Sequence, residues 1–574
     1  MKVPGHGQTT VRLGKHFQLH PVVFPAAAVV IVALVLITLG FPADSVRDAF
    51  SAVRDTVGNQ FGWLYVATMN AWLVLAVYLA VGRFGHIRLG RDDDRPEFSR
   101  LTWFAMLFSA GMGIGLVFWS VAEPIAHFTT PPPGYDGAFL PSKIAMATTI
   151  FHWGLHPWAL YAFVALALAY FGFRHPMPLS FRSLLSPVFG RHVNGFFGYL
   201  VDVTAIVATL IGVATSLGIG AQQINAGLAF LFDVPIQANI QVVLIACITC
   251  VATVSVVLGL GTGIRRLSEL NLFLAAVLML MVVFGFGVPA FLRGLIDNIG
   301  GYLQILPTSA FRSGGFSPQG QAWLNDWTVF YWAWWISWSP FVGMFIARVS
   351  RGRTIREFVI GVLLVPTAVG IAWLTAFGNT TLLQHTRHLR AVADETVDAV
   401  DKPTYNVAVL DDAGRPISSD DGTFRVRRES LTAVQYRNAT IISEDGRTEI
   451  ATLPTVMFAM LSELFPNPWT ATVAIGIATL CIVLFFVTSS DSASMVIDII
   501  ASGGNPNPPV GTRLFWAIAE GVVAATLLLT GGLRALQAAA IAAALPMTFI
   551  LILASIGLVR ALHAETDPQA SSEK

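Results

Sequence analysis

Long apolar stretches separated by short polar ones run along nearly the whole chain. Stretches long enough to span a bilayer, about 20 residues each, fall near 22–42, 60–82, 101–122, 144–173, 195–230, 237–260, 267–289, 325–347, 357–377, 468–497, 512–530 and 536–561. The pattern predicts an all-α membrane protein of about twelve transmembrane helices. Between 291 and 313 the piece GLIDNIGGYLQILPTSAF is only weakly amphipathic. It reads as a helix lying along the membrane surface within a connector at 290–320.

The segment 379–454 breaks the rhythm. It is rich in both charge signs and carries turn signals such as Asp411-Asp412-Ala413-Gly414. Alternating stretches near Tyr405–Leu410 and Phe424–Arg427 predict a small strand pair. The remaining organisation follows: a polar N-terminal segment 1–21, two spans in 22–82, spans three to seven in 101–289, spans eight to twelve in 321–561, and a tail at 562–574.

Composition agrees with a membrane protein. Hydrophobic residues make up 55% and charged residues 12%, about half the charged share of a soluble domain. Lys and Arg cluster in alternate loops: Arg83/Arg88/Arg91/Arg95/Arg100, Arg174/Arg182/Arg191, Arg265/Arg266 and Arg348/Arg351/Arg353/Arg356. By the positive-inside rule both termini are expected in the cytoplasm, with 379–454 on the opposite side. The first apolar run lacks a small-residue cleavage pattern and is expected to remain as a span. The net charge of +1 and the absence of a basic stripe give no sign of nucleic-acid binding. Cys247, Cys250 and Cys481 all lie in apolar runs, and the C-x-x-C lacks the further ligands that zinc needs. No nucleophile–base pair or phosphate-binding loop suggests an enzyme.

Three features carry chemistry. Gly111-Met112-Gly113-Ile114-Gly115 interrupts the third run. Alternating glycines weaken a helix by about 1 kcal/mol each, and an unwound membrane segment survives only where it lines a cavity or is buried in protein. A close helix crossing through small residues is the plainer explanation. The second feature is aromatic. Trp153, Trp158 and Tyr161 fall within about 140° of helical arc, and Trp327, Tyr331, Trp334, Trp338, Phe341 and Phe345 form a stripe with Trp335 at its edge. A quaternary ammonium has no N–H to donate, so aromatic faces are its natural partners, at roughly 0.5–2 kcal/mol each. An interfacial belt is the alternative, but belts cluster at span ends. The third feature is Thr488-Ser489-Ser490-Asp491-Ser492 after Phe485. Its hydroxyls either bond back to their own helix or contribute to the oxygen shell of a small cation.

The two halves are alike in plan. Each has about five spans and opens with an interrupted segment, the glycine run in the first and Ser337-Trp338-Ser339-Pro340-Phe341-Val342-Gly343 in the second. Paired interruptions point to the substrate site of an inverted-repeat transporter.

GMGIGLVFWSVAEP (111–124), FHWGLHPWALYAF (151–163), ATSLGIGAQQI (214–224), WTVFYWAWWISWSPFVGMFIARVSRGR (327–353) and FFVTSSDSAS (485–494) resemble the betaine/choline/carnitine transporter family. The likeness runs from about Phe24 to Val559 and is poorest at 379–454. It implies a LeuT-like fold of two inverted five-helix repeats behind two extra spans, as a homotrimer in the bacterial inner membrane. It further implies substrate held by Trp153, Trp158, Tyr161 and Trp335, with Trp334 and Trp338 on the pathway and the Gly111, Met112, Gly113 and Gly115 backbone alongside. Sodium, the implied coupling ion, would sit between the Thr488 and Ser489 hydroxyls and the carbonyls of Ser109, Met112 and Phe485. A second sodium site of the family matches Thr209 but meets Val213 where a second threonine is needed.

Gly115 stands where choline carriers of the family tend to have Asp, so the resemblance favours a zwitterionic substrate such as glycine betaine; choline and ectoine are the alternatives. The Arg of sodium-independent carnitine exchangers is missing from the fifth span. Proton coupling would call for an ionisable group facing the cavity. Glu123, Asp202, Asp491 and Asp498 are the candidates, with capping or ion pairing as their simpler role. The tail from about His563 lacks the long basic helix of osmosensing relatives. No cofactor besides the ion is implied. A membrane sensor using 379–454 as a ligand domain is the reading from another class.

Overall fold

The computed structural model describes residues 10–13, 17–111, 113–135, 140–257, 261–393, 404–408, 426–430, 440–442, 448–450 and 453–566. The chain begins with a hairpin of β1 (Val11–Leu13) and β2 (Phe17–Leu19), then helices α1 (Val23–Gly40) and α2 (Ala43–Val81). α3 (Arg100–Gly111) and α4 (Ile114–Thr129) follow, then α5 (Pro141–Trp153) and α6 (Leu155–Ala169). Two short turns of helix, α7 (Phe181–Leu184) and α8 (Ser186–Phe189), lead to α9 (Phe196–Phe232), α10 (Ala238–Val257), α11 (Gly261–Phe286) and α12 (Val288–Ala310). After α13 (Pro318–Leu324) come α14 (Phe330–Val349) and α15 (Ile355–Ala393). α16 (Val456–Leu464), α17 (Pro468–Ala501) and α18 (Val510–Thr566) complete the chain.

Nine helical spans among the described residues, with α5 and α6 taken together as one, are long and apolar enough to cross a membrane. The difference from about twelve has local causes. The third expected run is two helices, α3 and α4, too short to count singly. The eighth, α14, is made amphiphilic by its indoles and hydroxyls. The last two runs form one 57-residue helix, α18, bent at Gly532 (φ 57°, ψ −143°), a conformation that glycine adopts without a Cβ penalty.

Burial sorts these helices into centre and periphery. The apolar window of the α5–α6 pair is 94% buried, whereas those of α1 and α11 are 22% and 28% buried. Val29, Leu36 and Phe284 are exposed, the pattern of side chains that face hydrocarbon. The core therefore forms where α4, α5, α6, α9 and α14 pack together.

In 379–454, α15 continues to Ala393, and β3 (Thr404–Ala408), β4 (Val426–Ser430), β5 (Thr440–Ile442) and β6 (Thr448–Ile450) make a sheet of order β4-β3-β5-β6. β3 and β4 pair antiparallel with Tyr405 opposite Glu429, so the expected strand pair is joined by two more strands. The rest of the expected stretches, Val409 and Leu410 of the first and Phe424 and Arg425 of the second, lies outside the described residues.

Candidate functional site

Two helix breaks bring backbone ends into the core. α3 stops at Gly111 and α4 starts at Ile114, with Gly113 extended (φ −150°, ψ −175°). The Gly113 carbonyl accepts from the amides of Leu116 (3.1 Å) and Val117 (3.4 Å). This gives α4 an N-terminus inside the protein, where the first amides of a helix have no intrahelical acceptor. Met112 lies outside the described residues, as do the side chains of Ser109 and Gly111.

The second break falls at Gly154, between α5 and α6. Pro157 has no N–H to offer the Trp153 carbonyl four residues back, which favours a break here. The freed Leu155 amide donates to the Tyr302 hydroxyl of α12 at 3.1 Å. A Cβ on Gly154 would stand 2.8 Å from that hydroxyl oxygen and 2.7 Å from the Ile150 carbonyl oxygen. The second interruption expected from sequence, at 337–343, is not one. α14 is continuous through Pro340. The Ile336 carbonyl that the proline leaves unpaired accepts from the Ser339 hydroxyl at 2.8 Å instead.

Aromatic side chains from α5, α6 and α14 meet beside these breaks. The Trp153 ring stands edge-on to Trp335 at 4.8 Å between centroids, and Trp335 stacks on Trp334 at 4.9 Å. Tyr161 lies 6.3 Å from Trp335 and 5.6 Å from Trp158. Trp338 extends the group, 6.5 Å from Trp335 and 5.5 Å from Phe341. Trp153, Trp158, Tyr161, Trp334, Trp335 and Trp338 are all buried, whereas Trp327 and Phe345 of the stripe are only partly so. The glycine run touches them: a Cβ on Gly115 would come within 2.5 Å of the Trp334 ring and 3.2 Å of Trp153, and one on Gly113 within 3.4 Å of Trp338. Gly115 thus has a steric reason to be glycine beside any electrostatic one. The Trp338 indole N–H and the Tyr161 hydroxyl are buried without a partner among the described residues.

Sequence reasoning missed what holds the rings. Glu123, on α4 and fully buried, accepts from the Trp153 indole at 3.0 Å and from the Tyr331 hydroxyl through one oxygen. Its other oxygen bonds His152 Nδ1 at 2.6 Å and His127 Nε2 at 3.1 Å. His152 Nε2 meets the Thr328 hydroxyl at 3.0 Å, and the Trp335 indole donates to the His152 carbonyl at 3.0 Å. The ligand-type atoms of Glu123, His127 and His152 lie within 4.8 Å of one another. Contacts of 2.6 and 3.1 Å are hydrogen-bond lengths, shorter than the roughly 3.3 Å or more between two atoms bound to one tetrahedral metal ion. The cluster is therefore a hydrogen-bonded brace. Its signal in the sequence was the pair Glu123 and His127, four residues apart on one helix face; His152 adjoins Trp153.

The other acidic candidates have ordinary partners. Asp202 pairs with Arg182 at 3.3 Å, Asp491 with Arg513 at 2.7 Å, and Asp498 accepts from the Thr512 hydroxyl at 3.0 Å. On α17, which packs against α4, the Thr488 hydroxyl donates to the Leu484 carbonyl at 2.8 Å. Ser489, the next residue, is half-buried. Phe485 is buried one turn earlier. The Thr209 hydroxyl donates to the Ala205 carbonyl at 2.6 Å, with Val213 one turn on.

The chain matches the family model for betaine/carnitine/choline family transporters over residues 22–415 and 431–567. It is 44% identical to an uncharacterised transporter of Mycobacterium tuberculosis, over 95% of this chain and 83% of that one. A glycine betaine/proline/choline transporter of Vibrio parahaemolyticus is 39% identical over 98% of this chain and 93% of its own. A glycine betaine transporter of Bacillus subtilis is also 39% identical, over 92% of both chains.

Proposed function

The chain belongs to the betaine/carnitine/choline transporter family, a multi-pass membrane transporter, and we propose that it imports glycine betaine by sodium symport. The observation that carries this reading is the buried group of Trp153, Trp335, Tyr161 and Trp158 next to the interior N-terminus of α4. The rings suit the trimethylammonium end by cation–π attraction. The substrate's carboxylate has candidate donors close by: the first amides of α4, the Trp338 indole N–H and the Tyr161 hydroxyl. With Gly115 in place of a carboxylate, a zwitterion brings its own counter-charge.

The transporter works by alternating access around this site. Twelve spans are reached by joining α3 to α4 as one interrupted span, taking α14 as another and dividing α18 at Gly532. Spans three to seven and eight to twelve are then LeuT-like inverted repeats, and α12 lies along the interface. Both termini are cytoplasmic in this reading, as the distribution of Arg favours, and the protein is a trimer in the bacterial inner membrane, as the family resemblance implies. We assign the sodium ion to the hydroxyls of Thr488 and Ser489 with carbonyls of Phe485, Ser109 and Met112, as the family resemblance implies. It would supply the electrochemical drive and link α17 to the break beside α4. Thr209 with Val213 is a poor match for a second ion. The 379–454 segment is an appended extracytoplasmic unit.

Radiolabelled uptake in proteoliposomes tests both halves of the reading. Glycine betaine should accumulate on an inward sodium gradient at constant pH and outcompete choline and ectoine. Uptake indifferent to sodium removal would refute the symport, and preference for choline would refute the zwitterion. Loss of betaine uptake on deleting 400–450 from a chain that still folds would favour a ligand-sensing role for the insertion.

A further inference from the structure

Glu520, on α18, has no exposure to solvent. One carboxylate oxygen accepts from the Ser490 hydroxyl of α17 at 2.9 Å. The other, Oε1, has no hydrogen-bond partner, and no Lys, Arg or His stands within ion-pair distance, among the described residues. An ionised carboxylate in such surroundings is stable only with a counter-charge upon it. The charged side chains that bear on it are Asp491, from α17, and Arg513, two turns back on α18, and these already pair with each other. Of the other helices packed on these two, α10 contains no acidic or basic residue, α9 carries only Asp202, paired with Arg182, and α14 only Arg348, which lines a cavity with Asp491 and Arg513. α10 contributes Thr249, whose hydroxyl oxygen lies against Gly521, and Thr253 and Ser255; all three hydroxyls are buried without partners among the described residues. α1 carries no charged residue either, and the Arg47 and Arg534 end of the α2–α18 contact lies more than a dozen residues further along α18.

α10, α17 and α18, together with α14, wall that cavity, of about 710 Å³, lined among others by Ser255, Asp491, Ser492, Phe341, Arg348 and Arg513. The cavity borders Asp491, next in sequence to Ser490, and Arg513, two turns before Glu520, while Ser490 and Glu520 themselves are buried behind its wall. Ser490 in turn adjoins Ser489. A carboxylate with no ion-pair partner among the described residues, sealed from solvent, tied to a neighbouring helix by one hydrogen bond and close to a cavity has the features of a site for a small exchangeable cation.

We propose that Glu520 and Ser490 form a proton-binding site between α17 and α18, loaded from the cavity bordered by Asp491 and Arg513. In the loaded form the proton from water is bonded to a carboxyl oxygen, and the Ser490 hydroxyl shares a hydrogen bond with that group. In the unloaded form the proton has returned to the cavity, and α17 and α18 separate so that water reaches the carboxylate. Proton occupancy therefore acts on the helix that carries Thr488 and Ser489. The site goes beyond sodium symport and stands apart from the aromatic group.

The experiment has one arm without substrate and one with it. Infrared spectra of the purified full-length protein at neutral pH should contain a protonated-carboxyl stretch that is lost in Glu520→Gln and shifted in Ser490→Ala. In proteoliposomes with sodium clamped, an inward proton gradient should increase glycine betaine uptake by the wild type, and Glu520→Gln should lose that increase. Absence of a band that depends on Glu520, or a proton-gradient response that survives Glu520→Gln, overturns the proposal. A change in sodium dependence at constant pH, with no such band, overturns it in favour of a sodium ion at Glu520. If Glu520→Gln does not fold, an unshifted band in Ser490→Ala overturns it. Absence of glycine betaine uptake in the wild type counts against the substrate reading, while the infrared arm still decides the proton site.

Discussion

Glu123 and Glu520 are both fully buried, yet their surroundings treat them differently. Glu123 has two hydrogen-bonding groups on each oxygen, drawn from α4, α5 and α14. Glu520 has one on a single oxygen, from α17. Burial by itself is thus a poor guide to what an acidic residue does. A carboxylate whose every lone pair is engaged locks its partners in place, and here the partners include Trp153 and Tyr331. A carboxylate left half-engaged between two helices is free to change state when the helices move. The first carboxylate belongs to the frame of the aromatic site, the second to a part of the protein built to respond.

The largest test of that contrast is Glu123→Ala. It removes the shared acceptor of two histidines, an indole N–H and a phenol in the core, and removal of one partner from such a buried network costs about 3–5 kcal/mol. Thermal unfolding in detergent should show a large loss of stability, and Glu123→Gln a smaller one. A Glu123→Ala protein as stable as wild type would break the comparison. Gly115→Ala comes next, because its Cβ would fall 2.5 Å from the Trp334 ring. If Glu123 holds the rings rigidly the clash cannot relax, and overpacking should cost about 1–3 kcal/mol; a silent substitution would mean the rings shift freely.

Trp335→Phe and Trp335→Ala sharpen the role of the rings themselves. The alanine variant should lose about 0.5–2 kcal/mol of betaine binding by titration calorimetry, and the phenylalanine variant less, since it keeps an aromatic face. Equal affinities across all three would remove Trp335 from the site. Glu520→Gln should have the smallest effect on stability. The amide keeps the shape and the Ser490 bond, so a change within about 1 kcal/mol is expected. Destabilisation as great as that of Glu123→Ala would erase the distinction.

Much of the aromatic site was legible because its residues repeat at helical spacing. Trp153 and Trp158 straddle a break that the Gly154–Pro157 pair encodes, although the glycine run and Pro340 drew attention first. Pro340 misled because a serine next to it supplies the bond that the proline removes, a compensation that no periodicity reports. Tyr302 was legible only as part of an amphipathic helix. Its hydroxyl bonds the broken α5–α6 backbone from almost 150 residues away in sequence.

The sequence alone determined the membrane-embedded character, the family, the helices as apolar runs and the residue types able to hold a quaternary cation. These depend on composition and on local spacing, which a chain carries before it folds. Only the tertiary structure decided that Glu123 joins His127, His152, Trp153 and Tyr331 while Glu520 meets Ser490 alone. Those partners lie on different helices, and what a buried charge costs or does depends on the groups that packing sets around it.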